Sequence, residues 1–522
     1  MALSVAAVTR PTRGGGPLQA LRRPTSTPPI GLVVFVVGAA SLGAEIAAAR
    51  LLAPYFGAST IVWANTIAIV LVALSVGYWA GGRLASRDAN ARGLFRLVLG
   101  AGIALALVPL VARPFLEASV GALASISAGA FVGSLLAVLV LVAGPVFLLG
   151  AVAPYAVQLT VRRVEESGPV AGRLYAISTA GSLVGTFASA LVLIPAAGTH
   201  RTFLGFAFAL TAVGALGLAR WWLIVPLAVA GLIALPAGRV KAAEPGERVL
   251  YETETPYQYA RVVQASDGSR RLELNEGLAV HSLYRPHSYL TGNYWDDFLV
   301  LPLATRGRPP ARIAMLGNAA GTVARAYGHF FPGTAVTGVD IDGALTGIGR
   351  RFFDLRGPRL HTVTADARPF LRASPGGYDA IFVDAYRQPY IPFYLTTREF
   401  FTLARRKLAP GGMVIVNVGH PAGSTRLERV LGATMAAAFP HVLRDPVEPT
   451  NTLVVGSTAA PRPGLMRSSG ASLPAPLGAL SAGAARRLAP RLGGGTVFTD
   501  DRAPVEWLID TSIVAYAARA QR

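Results

Sequence analysis

The stretch that decides the fold is RIAMLGNAAGTVARAYGHFFP, residues 312–332. A short apolar run ends at Leu316, two glycines bracket Asn318, Ala319 and Ala320, and a helix-forming sequence follows at once. Strand, small-residue turn and helix in that order open an α/β unit. Small residues at Gly317, Ala319, Ala320 and Gly321 let backbone amides approach a ligand, and the helix N-terminus adds partial positive charge. Downstream, TAVTGVD, LHTVTAD, YDAIFVDA and GGMVIVNVG alternate with helical or turn sequence, which predicts a doubly wound parallel sheet. HVLRDPV and NTLVVGS add a closing hairpin.

Ligands of such sheets sit at the carboxyl ends of the strands, near the point where strand order reverses. Three acids fall on that rim: Asp340, Asp366 and Asp384 end the second, third and fourth strands. The glycine turn lacks the G-x-G-x-x-G spacing, and a pyrophosphate would gain nothing from acids on the two following strands. A sulfonium nucleoside fits better, with a ribose for Asp340, an adenine amino group for Asp366 and a cationic tail for Asp384.

Working outward, alternating runs flank Asp267-Gly268-Ser269, a hairpin signal that predicts a small antiparallel unit at 249–284. Before it the composition changes. The chain has 522 residues, 52% of them hydrophobic, and the apolar ones gather in the first half. IGLVVFVVGAASLGAEIAAA, residues 30–49, is long enough to cross a bilayer, and similar segments lie at 61–80, 94–112, 131–153, 174–196, 202–219 and 221–236. Gly181, Gly185 and Ser189 recur at four-residue spacing, a close-packing face for helices in lipid. Glu45 is an ionisable group inside the first span, paired with Arg50 or carrying a function of its own. Arg10, Arg13, Arg22 and Arg23, then Arg83, Arg87, Arg92 and Arg96, then Arg162, Arg163 and Arg173 mark cytoplasmic ends by the positive-inside rule.

The formal charge of +20 does not indicate nucleic acid, because the arginines spread over tails, loops and surface helices with no basic-aromatic stripe. With no cysteine there is no disulfide framework, thiolate chemistry or cysteine metal site, and no metal is expected. The expected organisation is a basic tail (1–28), a transmembrane helical domain of about seven spans (29–240), a β-hairpin unit and lead-in helix (247–305), a nucleoside-binding α/β domain (306–460), and a flexible connector with a C-terminal segment (461–522).

These residues resemble the spermidine synthase, or polyamine aminopropyltransferase, family. The likeness is to its membrane-embedded bacterial branch with a multi-span N-terminal region. TPYQYARVV resembles the family's Tyr-Gln hairpin segment, NYWDDFLVLPLA the helix leading into the nucleotide fold, VDID the ribose motif, ADAR the adenine motif, and VDAYRQPYIPFYLTTREFF the catalytic strand end and gate. The resemblance implies a class I methyltransferase-like Rossmann fold. It also implies aminopropyl transfer from decarboxylated S-adenosylmethionine, or use of S-adenosylmethionine itself, to a small cationic amine such as putrescine.

By the same resemblance Gln258, Gly317, Gly321, Asp340, Asp366 and Ala367 bind the nucleoside, Asp384 holds and deprotonates the amine, and Tyr294 lines the amine channel. Glu252, Glu254, Asp296 and Asp297 form an acidic island near that channel in sequence. Two positions depart from the family: Ala320 stands where an acid is usual in the glycine loop, and Arg387 where a second acid holds the diamine. Residues 386–394 read as a semi-rigid lid, and Thr396 with Glu399 as the capping box of the next helix. A methyltransferase on this fold, and a transporter or sensor that binds nucleoside or polyamine without reacting, are the alternatives. The bilayer is an expected partner, nucleic acid is not, and a homodimer is left open. Seven spans from a cytoplasmic start would export the soluble half, yet its co-substrate is cytosolic. The expectation is a multi-pass protein of the cell membrane with a cytoplasmic soluble half, one span being miscounted near 114–127 or across Arg220.

Overall fold

The computed structural model describes residues 28–57, 60–123, 129–236, 240–275, 279–386 and 390–520. The first half is built of helices: α1 (Ile30–Phe56), α2 (Thr60–Arg87), α3 (Ala91–Leu123), α4 (Gly129–Leu141), α5 (Ala143–Thr160), α6 (Ser167–Ala188), α7 (Ile194–Ala197), α8 (Thr199–Leu216) and α9 (Ile224–Ala234). Among the described residues five segments are long and apolar enough to cross a membrane: Ile30–Phe56, Val62–Arg87, Ala91–Ser119, Ala143–Thr160 and Val164–Ala197. Val132–Leu141 and Arg220–Ala234 are shorter apolar helices. The segment 131–153 is divided at Val142 between α4 and α5, and 202–219 falls mainly in α8, which begins on polar Thr199, His200 and Arg201. Leu71, Val72, Leu139, Leu183, Leu191 and Leu227 all point outward.

Small residues set how closely these helices approach. A Cβ on Gly181 would overlap the Phe35 carbonyl, and one on Gly185 the Ala39 carbonyl, so α6 lies backbone-to-backbone on α1. Hydroxyls seal the seam: Ser182 donates to the Gly38 carbonyl at 3.1 Å and Ser189 to that of Gly43 at 3.2 Å. The Arg50 guanidinium donates to the Pro256 carbonyl in the soluble half.

The second half comprises β1 (Arg248–Glu254), β2 (Tyr259–Gln264), β3 (Arg270–Leu274), β4 (Val280–Tyr284), α10 (Leu303–Arg306), β5 (Arg312–Leu316), α11 (Thr322–Phe330), β6 (Ala335–Asp340), α12 (Gly343–Phe352), β7 (Leu360–Thr364), α13 (Ala367–Ala373), β8 (Tyr378–Val383), α14 (Arg398–Lys407), β9 (Leu408–Gly419), α15 (Arg426–Ala436), β10 (His441–Glu448), β11 (Asn451–Ser457), α16 (Pro463–Gly470), α17 (Ala475–Arg487), β12 (Ala489–Pro490) and α18 (Val505–Ala520). β1 to β4 form an antiparallel sheet in sequence order, turned between β2 and β3 by Gly268 at φ 80. The larger sheet runs β12-β10-β11-β9-β8-β5-β6-β7, parallel from β9 to β7 and closed by antiparallel β10 and β11. This is the doubly wound α/β fold. Along β8, Ile381 and Val383 enter one core while Ala380 and Phe382 enter the other, as a strand buried on both faces requires.

Two local expectations are corrected. Helix α14 is capped by Thr397, not Thr396: its hydroxyl accepts from the Phe400 amide at 3.2 Å, while the Thr396 hydroxyl turns back to the Phe393 carbonyl. Part of the stretch read as a flexible connector is α16 and α17, anchored by buried Met466, Leu477 and Ala484. Arg487 at the end of α17 bridges Asp297 and Asp445, and burial beside Asp445 holds the Asp297 carboxyl above the ordinary carboxylate range.

The two halves meet at one end of the helical domain. Tyr55, at the end of α1, donates to the Val240 carbonyl at 2.7 Å. The Glu254 carboxylate accepts from the amide of Thr199, where α8 begins, at 3.1 Å and from its hydroxyl. Arg83, Arg87, Arg92 and Arg96 lie at the opposite end of α2 and the start of α3, so the soluble half and the arginine-rich loops occupy opposite ends of the bundle. Pro114 lies inside the continuous α3, and Arg220 opens a turn leading directly into α9.

Candidate active site

Strand order reverses beside β5: the chain passes from β5 to β6 and β7 on one side, then returns to β8 on the other. The loop after β5 and the end of β8 therefore face each other across the switch point, where this fold binds its ligands. Gly317 at φ 89 makes that meeting possible, since a Cβ there would overlap the Asp384 carbonyl and stand 2.6 Å from the Ala385 Cα. Gly321, at φ 87, caps α11 against the Leu355 side chain.

The amides of this loop are not offered to a ligand. Gly317 and Asn318 donate to the Val339 carbonyl, Ala319 to Asp340 at 2.7 Å, Ala320 to the Ser282 hydroxyl at 3.0 Å, and Gly321 to the Asn318 carbonyl. The expectation of a cradle of approaching amides is corrected: the loop amides are spent inside the protein, and that of Ala319 holds the Asp340 carboxylate.

Each rim acid is fixed with capacity to spare, a carboxylate having roughly four acceptor positions. Asp384 accepts from Asn417 Nδ2 at 2.8 Å, Trp295 Nε1 at 3.0 Å and the Tyr294 hydroxyl at 3.1 Å, leaving one acceptor position open. Burial raises its pKa while the three donors pull it down. Asp340 accepts from the Ala319 amide and from the Asp342 amide at 3.0 Å, leaving two positions, the number a vicinal diol needs. Burial pushes it up to about 6. Asp366 caps α13 through the Arg368 amide at 2.9 Å and accepts the Tyr394 hydroxyl at 2.7 Å.

A cavity of about 500 Å³ joins these groups. Gln258, Gly317, Asp340, Asp366, Ala367 and Asp384 all line it. Tyr294 and Gly321 are not among its lining residues. Tyr294 is buried behind Asp384 and acts on it as a donor, so its expected place along an amine channel is corrected to a supporting one. The acidic island also serves structure. Glu252 accepts from the Tyr259 hydroxyl at 2.7 Å, Glu254 is held by Thr199, Asp296 caps Thr291 and Gly292, and Asp297 pairs with Arg487. Arg387 lies outside the described residues; of the lid, Tyr390 donates to Asp510 on α18 and Tyr394 to Asp366.

Sequence reasoning missed four participants. Asp342, two residues past the ribose acid, collects Gln258 Nε2 at 3.2 Å and the Thr255 hydroxyl at 2.6 Å, and so positions Gln258. Asn417 was visible as the one polar residue in an apolar strand. Trp295 adjoins Tyr294 and needed only a reason to turn the same way. His281 lines the cavity with a buried Nε2 that has no partner among the described residues, and burial pushes its pKa down to about 4, so the ring is neutral.

The Asp340 carboxyl gives a pH test. Its folded pKa lies above the ordinary carboxylate value, so its contribution to stability is present below about pH 4 and lost as pH rises through about 6. Hydroxyl donors favour the charged form, so affinity for an adenosyl ligand should rise over the same window. Calorimetry at pH 5.5 should give roughly three- to five-fold weaker binding than at pH 7.5; equal affinities would remove Asp340 from the contact.

No family model matches the chain. A probable polyamine aminopropyl transferase of Bifidobacterium longum is 36% identical over 190 residues, covering 36% of this chain and 42% of that one. A polyamine aminopropyltransferase of Mycobacterium tuberculosis is 31% identical over 157 residues, 28% of this chain and 29% of that one. Polyamine aminopropyltransferase 1 of Streptomyces coelicolor is 28% identical over 433 residues, 75% of each chain. The chain thus spans less than half the length of the first two relatives. A probable spermidine synthase from Corynebacterium glutamicum, whose structure is solved, is 22% identical, with 48% of this chain and 98% of that one aligned at a TM-score of 0.37. The fold and cavity define a doubly wound α/β domain with a carboxylate rim at its switch point. Within that class the chain is a relative of the polyamine aminopropyltransferases.

Proposed function

We propose that this chain is a membrane-anchored transferase that moves an aminopropyl group from decarboxylated S-adenosylmethionine to an amine. The observation that carries the reading is Asp384, fixed by three donors at the switch point, in one cavity with Asp340 and Asp366. On this reading Asp340 holds the ribose hydroxyls, with Gln258 beside it, and Asp366 and Ala367 receive the adenine. Asp384 accepts a hydrogen bond from the acceptor amine, keeps its lone pair aimed at the carbon beside sulfur, and takes the proton released. The outward-pointing leucines and valines of the first half support a bilayer-embedded anchor.

Supplying the purified full-length protein with S-adenosylmethionine or its decarboxylated form, in separate reactions with amines, tests the transfer. Product mass should increase by an aminopropyl unit with the decarboxylated donor alone. A methyl increment would establish a methyltransferase instead. Orientation is tested separately. A cytoplasmic soluble half, where this donor is made, puts the arginine-rich loops outside, against the positive-inside rule. A fluorescent protein fused after Arg522 should light up, and alkaline phosphatase fused there should stay inactive. The reverse pair of results would put the cavity on the far side of the membrane.

A further inference from the structure

The donors that hold Asp384 are themselves held from outside the cavity. The hairpin that closes the sheet turns at Pro449 and Thr450, with Glu448 at the end of β10 paired to Asn451 at the start of β11. Neither Glu448 nor Asn451 is among the residues lining the cavity. Asn451 stands directly across from Gly419 of β9, which has no side chain to fill the position, and its own side chain reaches the diagonal neighbour Asn417. Its Nδ2 donates to Asn417 Oδ1 at 2.9 Å, while the Thr450 hydroxyl donates to its Oδ1 at 3.2 Å. With its oxygen taken, Asn417 turns its Nδ2 to Asp384 and donates at 2.8 Å. The other limb of the hairpin acts on the remaining donors. Glu448 Oε1 accepts from the Tyr294 backbone amide at 2.7 Å. That amide opens the helical turn Tyr294–Leu299, from which the Tyr294 hydroxyl and Trp295 Nε1 both reach Asp384. Asp445, also on β10, shares Arg487 with Asp297 of the same turn. All three donors to Asp384 are thus tied to one hairpin.

Resting on the aminopropyl-transfer reading, we propose that Asn451 and Glu448 are positioning residues of the reaction. From outside the cavity, the β10–β11 turn sets which way the three donors face and so keeps the open acceptor position of Asp384 aimed at the substrate nitrogen. Neither residue touches the reacting atoms. Asn451 acts through the polarity of an amide. An unrestrained Asn417 has two ends of nearly equal shape, one a donor and one an acceptor. Its oxygen turned to Asp384 would set acceptor against acceptor and displace the carboxylate from the place where it meets the amine. Glu448 acts through the backbone, since it sets where the helical turn begins and hence the reach of the phenol and the indole. Both act on the orientation of Asp384 and leave alone the nucleoside contacts attributed to Asp340 and Asp366, which lie at the ends of other strands.

The test compares the full-length parent in detergent with Asn451→Leu, Asn451→Asp, Glu448→Leu and Glu448→Gln. Decarboxylated S-adenosylmethionine is supplied with a mixture of putrescine, cadaverine and spermidine. Asn451→Asp keeps the side chain's size but replaces its donor by an acceptor, which draws the Asn417 Nδ2 away from Asp384. Single-turnover transfer should fall roughly 100-fold in that variant and roughly 10-fold in Asn451→Leu. Glu448→Leu should cost roughly 10-fold, whereas Glu448→Gln, which keeps an oxygen for the Tyr294 amide, should stay within about three-fold of the parent. Calorimetric affinity for methylthioadenosine should remain within about two-fold throughout, since only orientation at Asp384 has changed. In an Asn417→Leu background, Asn451→Asp should cost less than about three-fold more, because the amide through which it acts is gone. Four results overturn the proposal while the transfer reading stands. They are parent-like transfer in Asn451→Asp, its full effect persisting in the Asn417→Leu background, Glu448→Gln as slow as Glu448→Leu, and methylthioadenosine affinity falling in step with the rate. Should Asn451→Asp fail to fold, Asn451→Leu and the Glu448 pair decide by the same criteria. A parent chain that binds methylthioadenosine but forms no aminopropyl product overturns the transfer reading together with the proposal.

Discussion

Asp384→Asn should lower the rate of transfer by roughly 10³-fold while leaving adenosyl-ligand binding within a few-fold of the parent protein. The asymmetry follows from what surrounds the side chain. Asn417, Trp295 and Tyr294 all donate to Asp384, so the site is built for an acceptor-only group. An amide would direct one N–H₂ toward those donors and lose the anion that holds the acceptor nitrogen. The nucleoside contacts attributed to Asp340 and Asp366 stand on other strands and are untouched. Single-turnover measurement of product, with calorimetry on methylthioadenosine, separates the two effects. Parent-like turnover would remove Asp384 from the chemistry.

Gly317→Val should be more damaging still, because it acts on binding and folding together. The residue sits at φ 89, where a β-branched side chain is strained by roughly 1–3 kcal/mol before any contact is considered. Its Cβ would also press on backbone of the Asp384–Ala385 turn, which has no flexible end to move aside. The expected outcome is loss of measurable adenosyl binding and a clear fall in thermal midpoint, read by calorimetry and by unfolding of the detergent-solubilised chain. Retained binding would mean that the β5 loop and the end of β8 are further apart than the close approach of Gly317 and Asp384 requires.

Much of this was legible in residue order, for identifiable reasons. Strands β5, β8 and β9 announced themselves through the apolar runs at 313–316, 380–383 and 413–416, since a strand covered on both faces has no polar side to confuse the pattern. Edge strand β7, LHTVT, is half exposed and is legible from its place in the alternation, and the three rim acids were readable because each ends a strand segment or lies just past one. What escaped reading was pairwise. Whether Tyr294 would line a cavity or stand behind Asp384 depends on the direction of one side chain, and neighbouring residues do not encode it. The acidic island near Glu252 looked like a channel because the chain carries few acids, yet each member has a structural partner, two of them distant in sequence: Thr199 for Glu254 and Arg487 for Asp297. The glycine loop suggested free amides because small residues permit them; only the fold shows those amides already spent on Val339, Asp340 and Ser282. Helices α16 and α17 hid behind a Pro, Gly and Ala composition whose few apolar residues fall at helical spacing.

The seam between α6 and α1 has a consequence for anyone who would shorten this protein. With glycine against carbonyl along its length, α1 has no slack to shift sideways. Ala49, Arg50 and Ala53 near its end, which line the cavity, are therefore held at a fixed place above the soluble half. A chain begun at Val240 would fold its sheets and keep its acids, but as a bowl with one side broken away. Water would then reach carboxylates that the intact molecule keeps nearly dry, their proton affinities would slide back toward ordinary values, and rates measured on the fragment would describe a different catalyst.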